Sequence, residues 1–144
     1  MLCIERCGKI KKLFPQRLVH NFRNLQSLSV YNCVQMEEII EDDNNEGADI
    51  TLPMLKQLCL RKLPQLKSIC KGKMICDNIE TIGLWGIKNI KKLPLYLRFL
   101  NGQLSPPLRL RTIEIEKRDK EWWESLEWPQ HNAGNVLQPF VQYF

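Results

Sequence analysis

The sequence predicts an α/β fold, organised as a solenoid of about five short parallel strands. Two observations lead to this prediction: an apolar spacing recurs along the chain, and each copy contains two apolar residues separated by one position. The second feature is typical of a strand with one buried face. With 144 residues, 44% of them hydrophobic and 26% charged, the chain is long enough for one compact domain or a short repeat array.

Three full copies of the repeat place apolar residues at successive offsets of 3, 2, 3, 3 and 3, starting at Leu25, Leu55 and Ile79. A truncated copy starts at Leu2 and a divergent one at Leu110. The second apolar positions (2, 28, 58, 82 and 113) lie 24 to 31 residues apart, near the period of about 20–29 residues that is typical of leucine-rich repeats. We therefore predict a leucine-rich-repeat solenoid, with strands on the concave face and an irregular or short helical convex side.

A helix does not explain this spacing, because steps of three residues drift by about 60° each around a helix and form no single stripe. Pro53 and Pro64 also bracket the clearest copy, and an interior proline destabilises a helix by about 3 kcal/mol. The predicted single repeat domain, 1–144, divides into a truncated first repeat 1–21, repeats 22–51, 52–75 and 76–107, and a terminal repeat with its cap at 108–144.

Within each predicted strand, alternate side chains point to opposite faces of the sheet. Val30, Leu60 and Leu84 are predicted to point into the core. Aromatic and arginine side chains are enriched at binding hot spots, so we predict a partner-binding surface on the opposite face; scattered surface residues without a partner are the alternative. The candidate residues are Ser29, Tyr31, Cys59, Arg61, Trp85, Glu114 and Glu116. The two glutamates predict a partner patch that is basic or hydrogen-bonding.

The C-terminal segment predicts a short helix from Asp119 to Trp128, with Asp119 as its N-cap. At least two of Trp122, Trp123 and Trp128 are expected to cover the exposed end of the last strand as a cap. A tryptophan patch for another domain of the same protein is the alternative.

Charged residues predict a surface loop and a register. The acidic run at 41–46 is predicted to form a solvated loop. If the copies stack in register, Lys11 pairs with Glu37, and Glu37 pairs with Lys67. Each exposed pair contributes only about 0.2–1 kcal/mol, so these pairs would help to fix the register more than they stabilise the fold.

Several function classes are disfavoured by the composition. No apolar run reaches the roughly 18–20 residues of a membrane span. The net charge of +5 is spread evenly, and nucleic-acid binding needs contiguous phosphate contacts, so no nucleic-acid partner is expected. The six cysteines and two histidines lack the paired spacings of a zinc site. We expect neither a metal nor a cofactor.

The cysteines are expected to be reduced, because the N-terminus lacks the apolar region of a secretion signal. Cys7 and Cys33 are predicted to be small buried groups at turns, making weak hydrogen bonds. A hydrolase that uses a cysteine is a further alternative. Neither histidine lies in a motif that would supply the base that such a nucleophile needs, so we expect no enzyme and no catalytic residue.

Four stretches resemble the C-terminal part of the leucine-rich-repeat domain of plant nucleotide-binding disease-resistance receptors of the coiled-coil type. They are Leu25–Ile39, Leu52–Cys70, Lys120–Trp128 and Asn135–Phe140. The double tryptophan in the third is more specific to that family than the repeat itself. The resemblance implies a cytoplasmic recognition module in plant defence, which binds a pathogen effector or a guarded host protein. It also implies autoregulatory contact with the receptor's nucleotide-binding module. The alternative is the substrate-adaptor repeat domain of a ubiquitin ligase.

The chain departs from the family pattern in three ways. It has no GxxxxGK[ST] phosphate loop, so the family's nucleotide chemistry has no residues here. The segment 85–89 replaces the usual Cys-Pro pair after the strand, which predicts a weaker turn there. Met1 and Leu2 already lie inside a repeat copy, so we expect a fragment of a larger receptor or a truncated gene product.

Overall fold

The computed structural model describes residues 1–42 and 47–144, and twelve short strands account for most of its regular structure. The strands are β1 Leu2–Glu5, β2 Lys12–Pro15, β3 Ser27–Tyr31, β4 Glu38–Glu41, β5 Ile50–Thr51, β6 Gln57–Arg61, β7 Met74–Ile75, β8 Thr81–Trp85, β9 Arg98–Leu100, β10 Gln103–Ser105, β11 Thr112–Ile115 and β12 Val141–Tyr143. Two short α-helices, α1 Lys120–Ser125 and α2 Ala133–Leu137, and three 3-10 helices, Gln16–Phe22, Lys117–Asp119 and Gln138–Phe140, complete the fold.

The main sheet has six strands in the order β1-β3-β6-β8-β11-β12, and all neighbours are parallel. Its register pairs the second apolar residue of each copy with that of the next, from Leu2 through Leu28, Leu58 and Ile82 to Ile113. Each copy is therefore one turn of the chain, stacked on its neighbours. The predicted leucine-rich-repeat solenoid is confirmed.

The sixth strand, β12, was not among the five that the repeat predicts. It pairs with β11, with Ile113 opposite Val141 and Ile115 opposite Tyr143. The segment 141–143 belongs to no repeat copy, which is why the apolar spacing could not reveal it. Its effect is to occupy the hydrogen-bonding edge of β11.

The core lies on one face of this sheet. Val30, Leu60 and Leu84 are each 0% exposed, as their position in the repeat predicts. The later apolar positions of the copies, such as Leu63, Leu66 and Ile69, are buried in the same cluster. Adjacent copies therefore share one core, because a single copy cannot bury its own apolar face.

A left-handed residue follows the strand in four successive copies. Arg6, Asn32, Lys62 and Gly86 have φ values of 57°, 55°, 55° and 66°. The N–H groups of the first three donate to strand-end carbonyls of the next copy, which extends the parallel ladder into the turn. The weaker turn expected at 85–89 is not observed: a glycine adopts this backbone conformation without strain, so the departure in sequence preserves the geometry.

The prediction of buried thiols at these turns is confirmed for Cys33 and only in part for Cys7. Cys33 is buried and its Sγ donates to the carbonyl of Tyr31 at 3.3 Å. Cys7 is half-buried and its Sγ lies 3.7 Å from the carbonyl oxygen of Glu5.

A second ladder holds the copies together beyond the strands. The carbonyl of Lys11 accepts from the N–H groups of Glu37 and Glu38, and the carbonyl of Glu37 accepts from Lys67 and Ser68. The Glu37–Lys67 ion pair forms at 3.6 Å, as predicted.

The other predicted ion pair is absent from the part of the chain that the structure describes: Lys11 makes no ion pair with Glu37. Instead Lys12, the first residue of β2, reaches Glu41 at 3.4 Å. Lys11 thus joins the first two copies through its carbonyl oxygen. Exposed ion pairs are too weak to impose a register that the backbone already fixes.

The acidic run was predicted as a solvated loop, but residues 43–46 of it lie outside the described residues. The two residues before them are placed. Glu41 is the last residue of β4, and the carboxylate of Asp42 accepts from the N–H of Gly47 at 2.7 Å.

The predicted C-terminal helix is present but shorter, as α1. Trp123 is buried and packs edge-on against Trp128 with ring centroids 5.3 Å apart. The indole N–H of Trp122 donates to the carbonyl of Ile90 at 2.9 Å. Trp123 and Trp128 line the core beside Ile113, so they cap the apolar interior, whereas β12 covers the strand edge.

Asp119 lies at the N-cap position of α1, but its carboxylate makes no capping hydrogen bond. The side chain is 1% exposed, and its Oδ1 lies 3.3 Å from the Nζ of Lys88, which is 59% exposed. Asp119 therefore joins the cap to the preceding repeat through an ion pair in which the carboxylate is buried and the lysine is exposed.

An antiparallel hairpin, β9–β10, interrupts the repeat between β8 and β11. Its turn is Asn101-Gly102, with φ of 53° and 79°, the combination that two-residue hairpin turns require. The side chain of Gln130 binds both backbone groups of Leu97, at 2.7 Å and 2.6 Å, and so ties the hairpin to the cap. Among the described residues no helix has the length and apolar character to cross a membrane.

Leu60→Ala should destabilise the chain by about 2–5 kcal/mol, because it leaves a cavity at the centre of the shared core. Urea unfolding followed by circular dichroism measures the change. Lys67→Ala is the surface control and should lose no more than about 1 kcal/mol. Similar losses in the two variants would contradict the assignment of Leu60 to the core.

Lys88→Met should destabilise the chain by about 1–2 kcal/mol, because Asp119 would stay buried without its counter-ion; the exposure of Lys88 keeps this below the ~3–5 kcal/mol typical of fully buried pairs. Lys91→Met, the same substitution at a nearby exposed lysine, is the matched control. Equal midpoints of urea unfolding for both variants would show that the pair does not anchor the cap.

Candidate partner-binding face

The face of the six-stranded sheet opposite the core, here called the strand face, brings the predicted site residues together. Six of the seven lie in strands, and Glu116 directly follows β11. The sheet register arranges them in two parallel rows. One row, the floor, is Cys3, Ser29, Cys59, Gly83, Glu114 and Gln142; the other, the ridge, is Glu5, Tyr31, Arg61, Trp85, Glu116 and Phe144.

The ridge is built around Trp85. The guanidinium carbon of Arg61 lies 4.4 Å from the centroid of the Trp85 ring. Phe144 stacks against the same indole, with centroids 6.0 Å apart and an interplanar angle of 23°. Phe144 is 55% exposed, so the sheet presents a large apolar surface beside a cation. The repeat did not predict Phe144; the alternating tail Val141–Tyr143 before it was the available signal.

Tyr31 extends the ridge and leans towards the floor. Its hydrogen bond with Ser29 lowers the pKa of the phenol, but its contact with Cys59 and its burial outweigh this effect and raise the pKa above its usual value. Beside it, Glu5, Asn32 and Lys62 help to line a depression of about 240 Å³.

Gly83 lies in the floor but is buried, and it was not among the predicted site residues. A Cβ atom placed there would lie 3.3 Å from Cys59 Sγ, 3.8 Å from Glu114 Oε2 and 3.9 Å from Trp85 Nε1. A thiol, a carboxylate and an indole N–H therefore cover the buried backbone of Gly83. An isolated glycine inside a strand pattern often marks a close backbone approach, and this was the signal in the sequence.

The two predicted glutamates differ in their surroundings. Glu116 forms an ion pair with Arg118. Among the described residues, Glu114 has no ion-pair or hydrogen-bonding partner for its carboxylate, and Trp85 has no acceptor for its indole N–H. The strand face thus carries one unpaired acceptor and one unpaired donor beside Gly83.

The four cysteines outside the turns fall into two groups. Cys3 is exposed and Cys59 half-buried, both on the floor, and burial raises the pKa of Cys59. Cys70 and Cys76 are buried in the core, where desolvation raises the pKa of each thiol to about 12. The buried thiols are held in the protonated, unreactive form.

The core leaves little space for a small molecule. A cavity between the last repeats and the cap measures about 20 Å³, roughly enough for one water molecule. An open depression of about 680 Å³ lies on another side of the chain, between the 3-10 helix Gln16–Phe22 and β5. Among the described residues, no group of three or more histidine, cysteine or acidic side chains is placed to hold a metal ion.

The stacked copies and their parallel ladder define a leucine-rich-repeat protein. Residues 1–93 match the family model described as plant disease resistance protein RPS2-like, leucine-rich repeats. The chain belongs to this family.

Three relatives in Arabidopsis thaliana are named as disease resistance proteins. "Probable disease resistance protein At4g27220" is 30% identical over 78% of this chain and 13% of that protein. "Disease resistance protein At4g27190" is 27% identical over 95% of this chain and 13% of that protein. "Probable disease resistance protein At1g12290" is 33% identical over 73% of this chain and 11% of that protein. The chain thus spans about an eighth of the length of its curated relatives. No solved structure matches it.

Cys70 and Cys76 should make the chain less stable at high pH. Their pKa is about 12 when folded, against 9.0 for a free thiol. The unfolded state therefore loses these protons first as the pH rises, and each thiol lowers the free energy of unfolding by about 1–2 kcal/mol near pH 10.5.

Urea unfolding at pH 7 and near pH 10.5 measures this loss. The double variant Cys70→Ala, Cys76→Ala lacks the two buried thiols and should therefore lose less stability than the wild type between the two pH values. Its other titrating groups are the same as those of the wild type. Equal losses would contradict the burial of both thiols.

Proposed function

We propose that the chain is a non-enzymatic recognition module of a plant immune receptor, which binds a partner protein through the strand face. The ridge formed by Arg61, Trp85 and Phe144 is the observation that carries this proposal. Tryptophan and arginine dominate the binding energy of many protein interfaces. Here the side chains of Arg61 and Phe144 contact the Trp85 ring, so the three side chains are ordered by contacts with one another. Pre-ordered side chains lose less entropy on binding.

The partner that we propose is a pathogen effector or a host protein that such an effector modifies. The family and the names of the relatives support a role in disease resistance. The acidic and hydrogen-bonding groups at Glu114 favour a partner surface that offers N–H groups or positive charge. We place the module in the cytoplasm, where free thiols such as those of this chain are stable.

A second, regulatory contact is part of the proposal. In an intact receptor, the same repeats would contact the nucleotide-binding module and hold it inactive. Partner binding and this internal contact would then compete or cooperate, which couples recognition to signalling.

Arg61→Ala and Trp85→Ala should each abolish or strongly weaken partner binding while the fold persists. In leaf cells, the wild-type chain and both variants would be cross-linked, purified and compared by quantitative mass spectrometry. Proteins enriched with the wild type should be lost from both variants and retained by Lys67→Ala, a control on the ladder beyond the strands.

Two outcomes would contradict the proposal. The same proteins could be recovered with all four chains, which would place the contact elsewhere. Alternatively, circular dichroism could show that Trp85→Ala unfolds the chain, which would make Trp85 a core residue. Regulation is tested separately, by titrating the chain into a purified nucleotide-binding module of a plant disease-resistance receptor; absence of binding would argue against the internal contact.

A further inference from the structure

Two of the residues that line the depression beside Tyr31 are exposed cations, Arg61 and Lys62. Across residues 1–42 and 47–144, which the structure describes, no carboxylate lies within ion-pair distance of either cation. Positive groups without a counter-ion on an open surface favour an anionic ligand. We propose that this depression, of about 240 Å³, is a subsite for one carboxylate side chain, an aspartate or a glutamate of the partner protein.

Arg61 is ordered by a contact that leaves its hydrogen-bond donors free. Its guanidinium carbon lies 4.4 Å from the centroid of the Trp85 ring, and a cation–π contact of this kind uses no N–H group as a conventional donor. Within the described part of the chain, none of these N–H groups has an acceptor. The guanidinium fork matches both oxygens of a carboxylate. Because Trp85 already orders the arginine, less side-chain entropy is lost on binding.

Lys62 and Asn32 line the depression from equivalent positions of successive copies, and both have a left-handed φ of 55°. Backbone hydrogen bonds fix these two turns: Asn32 donates to the carbonyl of Arg61 at 3.0 Å, and Lys62 donates to that of Trp85 at 2.8 Å. The Lys62 ammonium adds positive charge. The side-chain amide of Asn32 has no hydrogen-bonding partner in the residues that the structure describes, so its N–H groups are available to a carboxylate.

The rest of the lining favours an acidic side chain over a phosphate. A single guanidinium fork matches the two oxygens of a carboxylate, whereas phosphate groups are typically bound by clusters of arginines. Glu5, which lines the same depression and forms an ion pair with Arg6 at 3.7 Å, offers no donor to a further oxygen. The half-buried ring of Tyr31 provides apolar surface for the methylene groups of an aspartate or glutamate.

The subsite also gives the strand face a charge pattern that orients its partner. Arg61 on β6 and Glu114 on β11 are separated by one strand, β8. Two strand spacings and an offset of two residues place their backbones about 12 Å apart. A complementary partner therefore presents an acidic side chain at Arg61 and an N–H or positive group at Glu114. The inference rests on the proposed recognition function, because it names the chemistry that the strand face would recognise.

The experiment uses peptides selected on the wild-type chain from a phage-displayed library of short linear sequences. In one selected peptide, each acidic residue in turn is replaced by its neutral amide, Asp by Asn or Glu by Gln. Affinity is measured by isothermal titration calorimetry. One replacement should weaken binding about 10-fold or more, the effect of losing a charge-assisted, bidentate pair. Two further peptides carry phosphoserine at that position or an amidated C-terminus.

Variants of the chain locate the carboxylate. In Arg61→Gln, the acidic peptide and its amide form should differ by less than about 3-fold, because the two changes remove the same pair. Lys62→Gln should weaken the acidic peptide and leave the amide form unaffected. Arg109→Gln and Lys91→Gln, the same substitutions at exposed positions outside the strands, are the matched controls. Both should retain the full difference between the two peptides.

Several outcomes would overturn the subsite. Failure to select any peptide does so, as does a series that tolerates every acid-to-amide replacement. A replacement effect that persists in Arg61→Gln places the carboxylate elsewhere. Tighter binding of the phosphoserine peptide would assign the depression to a phosphate, and sensitivity to C-terminal amidation alone would assign it to a chain terminus.

The same peptides separate this inference from the proposed function. Peptides that bind less well to Trp85→Ala but equally well to Arg61→Gln overturn the carboxylate subsite and leave recognition by the strand face standing. Peptides that bind Arg61→Ala and Trp85→Ala as well as they bind the wild type count against both proposals.

Discussion

The stacking of incomplete cores is the constraint on which the rest of this structure depends. Each copy contributes one short strand and a few apolar side chains, and none of these is buried until the next copy lies against it. The parallel ladder aligns Leu28, Leu58 and Ile82 in one row, so the register that builds the core also orders the opposite face. The floor and the ridge both follow directly from this register.

The fold could be predicted from the sequence because each copy of the apolar spacing corresponds to one turn of the solenoid. Val30, Leu60 and Leu84 are buried as their spacing requires. What the spacing could not predict lies outside the copies. β12 follows the last copy, and its pairing with β11 is a tertiary contact that no repeat encodes. Lys11 contacts the next copy through its backbone carbonyl, so the charge of its side chain does not predict the contact.

The candidate site was predictable by position and less so by detail. Alternation along the strands placed Tyr31, Arg61 and Trp85 on one face, and the register brought them together. The contacts of Arg61 and Phe144 with the Trp85 ring depend on side-chain conformations that no periodicity encodes. The side chains that cover Gly83 include two from neighbouring strands, so its surroundings could not be predicted from its own strand.

The closing strand has a consequence for how the chain behaves at high concentration. Exposed sheet edges recruit strands from other molecules, and proteins limit this hazard by keeping edge strands short. β12 has three residues, against five in each of the three strands β3, β6 and β8. At this edge of the described sheet, a foreign strand would find few free backbone groups, so the shortness of β12 disfavours edge-to-edge growth into fibrils.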